Sequence, residues 1–393
     1  MKLLFPGAVI RRERLKRNWS QEGLCRGICA VSYLSKIEQG KTEASPEILR
    51  MLFARLNLPW YDDAQTMAKA GALTKRCYEA LFSCDEKALS LLRDSFSDQE
   101  ELLSNSPHAL DAALLHGLLA NPQKPAPGEL EPFFDPHRLA LQRMMQGRYE
   151  EAMQLYPCVY ISLRTGIALY ERGESDAAAL EYLHHTYDMA AREGYVHAMM
   201  LARVYMGNCY CNRIDIENMN LQYRIARRLA KSLNDQEILR TIGYNSASAH
   251  LEAGYYEKAY DYFVRVEEPT AMELHKLAIC CEKLGLPEEA LSALNRAEEL
   301  LAEASQLQYP HPGLVHQMCR LVRMRLEHKD YLDFPQYGEE LLHIFSQCRE
   351  TLPIGYAAFH LPWVLEWYAA SRQYRRAYEL IRDFPIKLPL KQI

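Results

Sequence analysis

The stretch that decides the fold of the N-terminal region is residues 19–58, WSQEGLCRGICAVSYLSKIEQGKTEASPEILRMLFARLNL. Ser20 is a favourable N-cap for a short helix, and Gly27 permits a tight turn after that helix. The next helix runs through SYLSKIEQ and ends at Gly40, and Pro46 lies in the first turn of the helix that follows. Two short helices joined by a turn that contains glycine predict a helix-turn-helix.

The charge of the chain is unevenly distributed around this motif. Residues 1–60, here called the head, contain 11 basic and 5 acidic residues, a net charge of +6, whereas the whole chain has a net charge of −5. The remaining residues therefore carry −11. A basic head of about five helices on an acidic body predicts that only the head binds a polyanion such as double-stranded DNA.

The body, residues 73–393, repeats one pattern. An apolar helix is followed by a turn residue and a charged pair, and a small residue lies five places after the turn residue. Residues 61–72 are predicted to be a hinge that precedes it. The later turn-to-turn steps, from residue 173 onward, are 31 to 44 residues long and bracket the tetratricopeptide period of about 34. We therefore predict an all-α chain whose body is a right-handed solenoid of tetratricopeptide-like helix pairs with a groove. The repeats are GRYEEA (147–152), GESDAA (173–178), GYYEKA (254–259) and GLPEEA (285–290), with weaker copies IDIENM (214–219), HKDYLD (328–333) and RQYRRA (372–377).

The head resembles the helix-turn-helix domain of phage-repressor-like (Cro/C1) regulators. The matching positions are Ser20–Gln21, Gly27, Ser35, Ile37–Glu38, Gly40–Lys41 and Pro46.

This resemblance implies that the third helix enters the major groove of operator DNA, where Ser32 and Lys36 contact base edges. It also implies that Glu38 pairs with Arg14, and the pair can aim Arg14 at a phosphate. Tyr33 either contacts DNA or packs in the core of the head, while Leu34 and Ile37 are core residues. Gln21 and Lys41 are predicted to contact DNA phosphates. The other DNA-binding candidates are Ser32, Tyr33, Lys36 and Arg14.

Head and body together resemble the quorum-sensing peptide-receptor regulators of Gram-positive bacteria, of the Rgg, PlcR, PrgX and NprR type. Members of that family are cytoplasmic homodimers that bind a short signalling peptide in the solenoid groove and then change their hold on promoter DNA. The resemblance implies the same architecture, ligand class and homodimer here.

In each repeat, the helix before the turn is called the first helix. The first helices of two neighbouring repeats share the pattern Arg-x4-Asn. Its two copies, RVYMGN and RTIGYN, are 37 residues apart. Asn208 and Asn245 can each donate to and accept from a peptide backbone, as the family's groove asparagines do. Arg203 and Arg240 can bind a peptide carboxylate. Alternatively, the asparagines bond within the repeat and the arginines face solvent. Weaker candidates lie nine residues before a turn glycine, as Asn245 does; these are Arg164 and Lys276.

A second function stays open, in which the solenoid holds a partner protein or serves only for dimerisation; an apolar or wide-open groove would favour it. No phosphate-binding loop, nucleophile elbow or zinc-protease motif occurs, so neither catalysis nor a cofactor is expected. The eleven cysteines form no CxxC pair, so we expect no metal site or disulfide framework. The N-terminus lacks a signal-peptide pattern and no segment is apolar enough to span a bilayer, which predicts a cytoplasmic protein.

Overall fold

The computed structural model describes residues 3–120, 123–173, 175–303, 311–352 and 354–384. The regular secondary structure of these residues is helical, which confirms the predicted all-α class. The chain divides into two compact units. Unit 1 contains residues 1–165 and 188–198, and unit 2 contains residues 166–187 and 199–393.

The head contains four helices, one fewer than the five or so expected from the sequence. Ser20 caps the second helix by accepting a hydrogen bond from the Gly23 amide at 3.0 Å, as predicted. Ser45 caps the fourth in the same way. The helices are α1 (Pro6–Lys16), α2 (Gln21–Cys25), α3 (Val31–Glu38) and α4 (Pro46–Arg55).

The rest of unit 1 starts with a helix where a hinge was expected. Residues 64–72 belong to a continuous helix that Asp63 caps through the Thr66 amide, so helix propensity and a good N-cap replace most of the predicted linker. Beyond it, residues 128–133 form a 3-10 turn. The remaining helices of the segment up to residue 155 are α5 (Ala64–Ser83), α6 (Glu86–Ser104), α7 (Ala109–Leu119), α8 (Pro136–Met145) and α9 (Tyr149–Leu155).

The core of the head extends beyond residue 60. Leu24, Leu34 and Phe53 pack in one apolar cluster that also includes Leu110 and Leu130 of unit 1. The helix-turn-helix is therefore buried on one side against the segment that follows it, and is not an isolated domain on a tether.

From residue 159 onward, the described residues form helices that follow one another as pairs joined by turns. The first helices of the pairs are α10 (Val159–Arg172), α12 (Val196–Asn212), α14 (Gln236–Glu252), α16 (Ala271–Leu284), α18 (Pro312–Glu327) and α20 (Ile354–Ala370). The second helices are α11 (Asp176–Glu193), α13 (Ile216–Ser232), α15 (Tyr256–Phe263), α17 (Pro287–Glu303), α19 (Pro335–Thr351) and α21 (Tyr374–Asp383).

All seven predicted turns lie between the two helices of a pair, starting with the turn between α8 and α9. Residue 174, within the second repeat motif, lies outside the described residues. The small residue five places after the turn is fully buried at Ala152, Ala259 and Ala290, so paired helices approach closely there. The backbone at six of the seven turn residues has a positive φ: Gly147, Gly173, Ile214, Gly254, Gly285 and Arg372.

Close approach also depends on a glycine in a first helix. A Cβ atom at Gly207 of α12 would lie 2.2 Å from the ring of Tyr223 in α13. That ring can therefore lie flat against the α12 backbone, which brings its hydroxyl to the neighbouring Asn208.

Among the described residues, no helix combines the length and the apolar character needed to cross a bilayer.

Candidate functional site

The exposed face of α3 carries the predicted base-reading residues. Ser32 and Lys36 are both exposed and lie one helical turn apart on the same face. Leu34 and Ile37 are buried at 0% and 2% exposure, which confirms the predicted core positions. The apolar side of α3 thus anchors the helix in the head, and its polar side is available for the major groove.

A buried ion pair fixes α3 against α1. Arg14 donates two hydrogen bonds to the carboxylate of Glu38, at 2.7 and 2.8 Å, and a third to the carbonyl oxygen of Trp19 at 2.6 Å. The predicted Arg14–Glu38 pair is confirmed. Because the Arg14 side chain is only 9% exposed and its guanidinium is occupied, we correct its assignment from a DNA-contacting residue to a structural one.

Gln21 joins this network at the start of α2. Its side-chain amide donates at 2.8 Å to Glu38 Oε2, an oxygen that also accepts from Arg14. One amide N–H of Gln21 therefore holds α2 against α3. The Glu38 carboxylate thus joins α1, α2 and α3.

The remaining DNA-binding candidates divide into exposed and partly buried residues. Lys41 is exposed just after α3, as a phosphate contact requires. Tyr33 is half-buried, its ring packs against the core of the head, and its hydroxyl donates to the Glu43 carbonyl at 3.3 Å. This contact matches the core alternative for Tyr33 more closely than the DNA-binding one.

Unit 2 contains a second candidate site, a cavity of about 250 Å³. Four first helices in succession (α10, α12, α14 and α16) line it, together with residues of α20. Its polar and aromatic lining residues include Tyr170, Tyr205, Asn208, Asn212, Tyr244, Asn245, Ser248, Glu252, Lys276, Tyr356 and Phe359.

The two predicted asparagines meet in this cavity. The Asn245 amide donates to Asn208 Oδ1 at 3.0 Å, and the Tyr223 hydroxyl donates to the same oxygen at 2.7 Å. Asn208 is 8% exposed, whereas Asn245 is only half-buried. Asn208 is therefore mainly a structural acceptor, and Asn245 presents the rest of its amide to the cavity.

The register of the repeats explains why these side chains touch. Asn208 lies six residues before its turn residue, Ile214, and Asn245 lies nine residues before Gly254. Since the two turns are 40 residues apart and the asparagines 37, the asparagines differ by three residues, nearly one helical turn. They are diagonal neighbours on adjacent helices and not equivalent positions.

The predicted arginines do not line the cavity, and those assignments are corrected. The guanidinium of Arg203 lies 3.9 Å from the centre of the Tyr187 ring and donates to Gln222 at 2.7 Å. Arg240 forms an ion pair with Glu273 at 2.6 Å. The third arginine, Arg164, belongs to unit 1. Arg203 thus bonds within its own repeat, to α13, and Arg240 bonds to α16 of the next repeat.

Lys276, the weaker candidate, does line the cavity. It is 4% exposed, and desolvation lowers the pKa of its ammonium to about 7 despite the nearby Glu252. Desolvation also raises the pKa of Glu252 to about 7, and the charge of Lys276 opposes this shift. The cavity therefore contains an acid and a base whose charged forms are weakly stabilised.

Sequence reasoning missed several lining residues for which a signal existed. Glu171, Asn212 and Glu252 each lie two residues before a turn residue, so the repeat register itself marks one line of cavity positions. Among the described side chains, Asn212 Nδ2 and Ser248 Oγ are buried without a hydrogen-bond partner. The wall of the cavity thus contains two polar atoms whose hydrogen-bonding capacity is unsatisfied.

Comparison with known proteins gives matches for the helix-turn-helix head and for the overall fold. The helix-turn-helix family matches residues 10–62. A transcriptional activator, NprA of Geobacillus stearothermophilus, is 24% identical over 254 residues, which cover 56% of this chain and 61% of the relative. The chain thus spans less than two thirds of the length of that relative.

Solved structures also resemble the chain. The crystal structure of NprR in complex with its cognate peptide NprX matches with a TM-score of 0.52 at 14% identity, covering 82% of this chain and 100% of that one. The apo form of the quorum sensor NprR from B. thuringiensis matches with a TM-score of 0.44 at 12% identity, over 95% and 94% of the two chains. The family match confirms the predicted helix-turn-helix head, and the first structure confirms the predicted resemblance of fold to NprR-type regulators.

Proposed function

We propose that this chain is a cytoplasmic, sequence-specific DNA-binding transcription regulator, not an enzyme, and that its repeat unit binds a short signalling peptide that modulates DNA binding. The observation that carries the proposal is α3, whose exposed Ser32 and Lys36 are held in place by the buried Arg14–Glu38 pair. The similarity to a transcriptional activator and to a peptide-bound NprR supports it.

The cavity of unit 2 supports a peptide as the ligand. Asn245, Asn212 and Ser248 offer amide and hydroxyl groups that can pair with a peptide backbone irrespective of its side chains. Small-molecule pockets usually measure about 300–1,000 Å³. A cavity of about 250 Å³ holds part of a peptide, such as one side chain with its flanking backbone. The amide, hydroxyl and charged groups among its aromatic lining residues favour a peptide over the alternative of a purely apolar docking groove for a partner protein.

A homodimer is part of the proposal. One helix-turn-helix contacts few base pairs, and dimers of such heads bind two half-sites about one helical turn apart. We propose that the repeat body holds the two heads in register.

Lys36→Ala is expected to lower the discrimination between operator and random DNA while weak binding to both persists. A base-reading contact of this type contributes about 1–3 kcal/mol of discrimination, which corresponds to roughly ten- to a hundredfold in the specificity ratio. The operator is first obtained by selecting duplexes from a random-sequence pool with the full-length chain. Titrations of the selected and a scrambled duplex at one salt concentration then give the ratio.

Lys41→Ala is the matched control for this measurement, because a phosphate contact contributes equally to both duplexes. It is expected to weaken the binding of both without changing their ratio. A specificity ratio that Lys36→Ala leaves unchanged would show that α3 is not oriented in the major groove as proposed.

A further inference from the structure

Aromatic rings form much of the wall of the unit 2 cavity. They come from three first helices and from α20, and Tyr170 and Tyr205 meet edge to face with their ring centres 5.7 Å apart. Aromatic faces carry negative charge density, so several rings around one cavity create a site that attracts cations. The five rings are Tyr170, Tyr205, Tyr244, Tyr356 and Phe359.

The protein already places one cation of its own against these rings. The Lys276 ammonium lies 2.8 Å from the centre of the Phe359 ring, although the residue is 4% exposed. Burial destabilises this ammonium, and the face of the Phe359 ring and the charge of the nearby Glu252 offset part of that cost. The Phe359 face is therefore a surface of this cavity on which an ammonium group can lie.

The ionisable side chains of the lining add to the same preference. Glu171 and Glu252 both line the cavity, and Lys276 is the single basic residue in its described lining. The lining is therefore net acidic when all three groups are charged. Desolvation leaves Glu252 with a pKa of about 7, and a second cation nearby would stabilise its ionised form.

We propose that this cavity binds a cationic group of the ligand, an α-ammonium or a lysine or arginine side chain, between the aromatic rings and Glu252. The inference rests on the proposed function only in taking the ligand to be a peptide. In the ligand-free protein, Lys276 occupies part of this site as an internal cation. The alternative is that the cavity binds a carboxylate of the ligand through Lys276. Substitutions at Glu252 and Lys276 should then have the opposite effects on binding.

The test uses small probes and the melting temperature of the full-length chain. L-alaninamide supplies an α-ammonium, Nα-acetyl-L-lysinamide a side-chain ammonium, Nα-acetyl-L-norleucinamide a neutral chain, and the α-amide of Nα-acetyl-L-glutamic acid a carboxylate. We expect at least one cationic probe to raise the melting temperature at millimolar concentration, because a ligand that binds only the folded state stabilises it. The neutral and acidic probes should not, and the responding cationic probe identifies which ammonium the cavity takes.

Two substitutions test whether the site prefers a positively or a negatively charged group. Glu252→Gln should weaken binding of the cationic probe by about tenfold or more, as expected for the loss of a charged partner. Glu257→Gln, an exposed glutamate on α15, is the matched control and should leave the affinity unchanged. Lys276→Met should strengthen binding of the cationic probe, because it frees the Phe359 face and removes a like charge.

The proposal is overturned if neither cationic probe shifts the melting temperature, or if the shift is the same in Glu252→Gln. It is also overturned if the acidic probe alone stabilises the chain and Lys276→Met abolishes that effect. Those results would leave the proposed peptide-dependent regulation standing, since regulation is tested separately through DNA affinity.

Discussion

Glu38→Ala is expected to unfold the head. Removing one partner of a buried ion pair costs about 3–5 kcal/mol, because the other charge stays buried without compensation. Here the loss strands the guanidinium of Arg14 and the amide of Gln21, which bond to the Glu38 carboxylate. Amide hydrogen exchange of α1 to α4 should accelerate strongly, and specific DNA binding should disappear with it.

Two controls separate this effect from a general loss of stability. Glu22→Ala removes an exposed glutamate from α2 and should change hydrogen exchange little. A double variant, Arg14→Met with Glu38→Leu, replaces both charges by apolar side chains and should recover most of the protection. Wild-type exchange rates in Glu38→Ala would contradict the role assigned to the pair.

Asn208→Ala is expected to destabilise unit 2. Its Oδ1 atom accepts from both the Tyr223 hydroxyl and the Asn245 amide, so its removal leaves two donors without a partner. At about 1–3 kcal/mol for each unsatisfied group, the expected loss is about 2–6 kcal/mol. The measurement is a thermal melt combined with hydrogen exchange of α12 and α13.

Asn245→Ala should behave differently, since Asn245 is half-buried and Asn208 Oδ1 still accepts from the Tyr223 hydroxyl when the Asn245 amide is removed. Stability should fall less than in Asn208→Ala, while affinity for a bound peptide should fall about ten- to a hundredfold. A melt and a peptide titration on both variants are therefore required together. Equal loss of stability with unchanged peptide affinity in Asn245→Ala would restrict both asparagines to a structural role.

The repeat pattern predicted the helix pairs well because it is a local signal. A turn residue followed by a charged pair and a small residue requires no knowledge of distant contacts, and all seven turns fall where the pattern places them. However, the number of residues between a side chain and the following turn decides whether that side chain faces the cavity. Aligning Arg203 with Arg240 by sequence spacing ignored the three-residue difference between repeats, and both arginines bond elsewhere.

Long-range contacts were the part that the sequence could not predict. Tyr356 and Phe359 reach the cavity from α20, more than 100 residues after Asn245, and no periodic signal links them to that helix. Likewise, packing of the head against Leu110 and Leu130 depends on tertiary contacts that a basic, motif-rich head does not reveal. The Arg14–Glu38 pair was predictable only through the family resemblance.

The central claim is that a peptide bound in unit 2 changes the affinity of the head for its operator. A peptide selected from a random heptapeptide library on the immobilised full-length chain provides the ligand, and the selected duplex provides the operator. Coupling between two sites of a protein typically amounts to about 1–3 kcal/mol, or roughly 5- to 150-fold in affinity. We predict a change of that size in the operator dissociation constant on adding peptide to the wild-type chain, and a much smaller one in Asn245→Ala at the same peptide concentration. Identical operator affinity with and without saturating peptide in the wild-type chain would contradict the account.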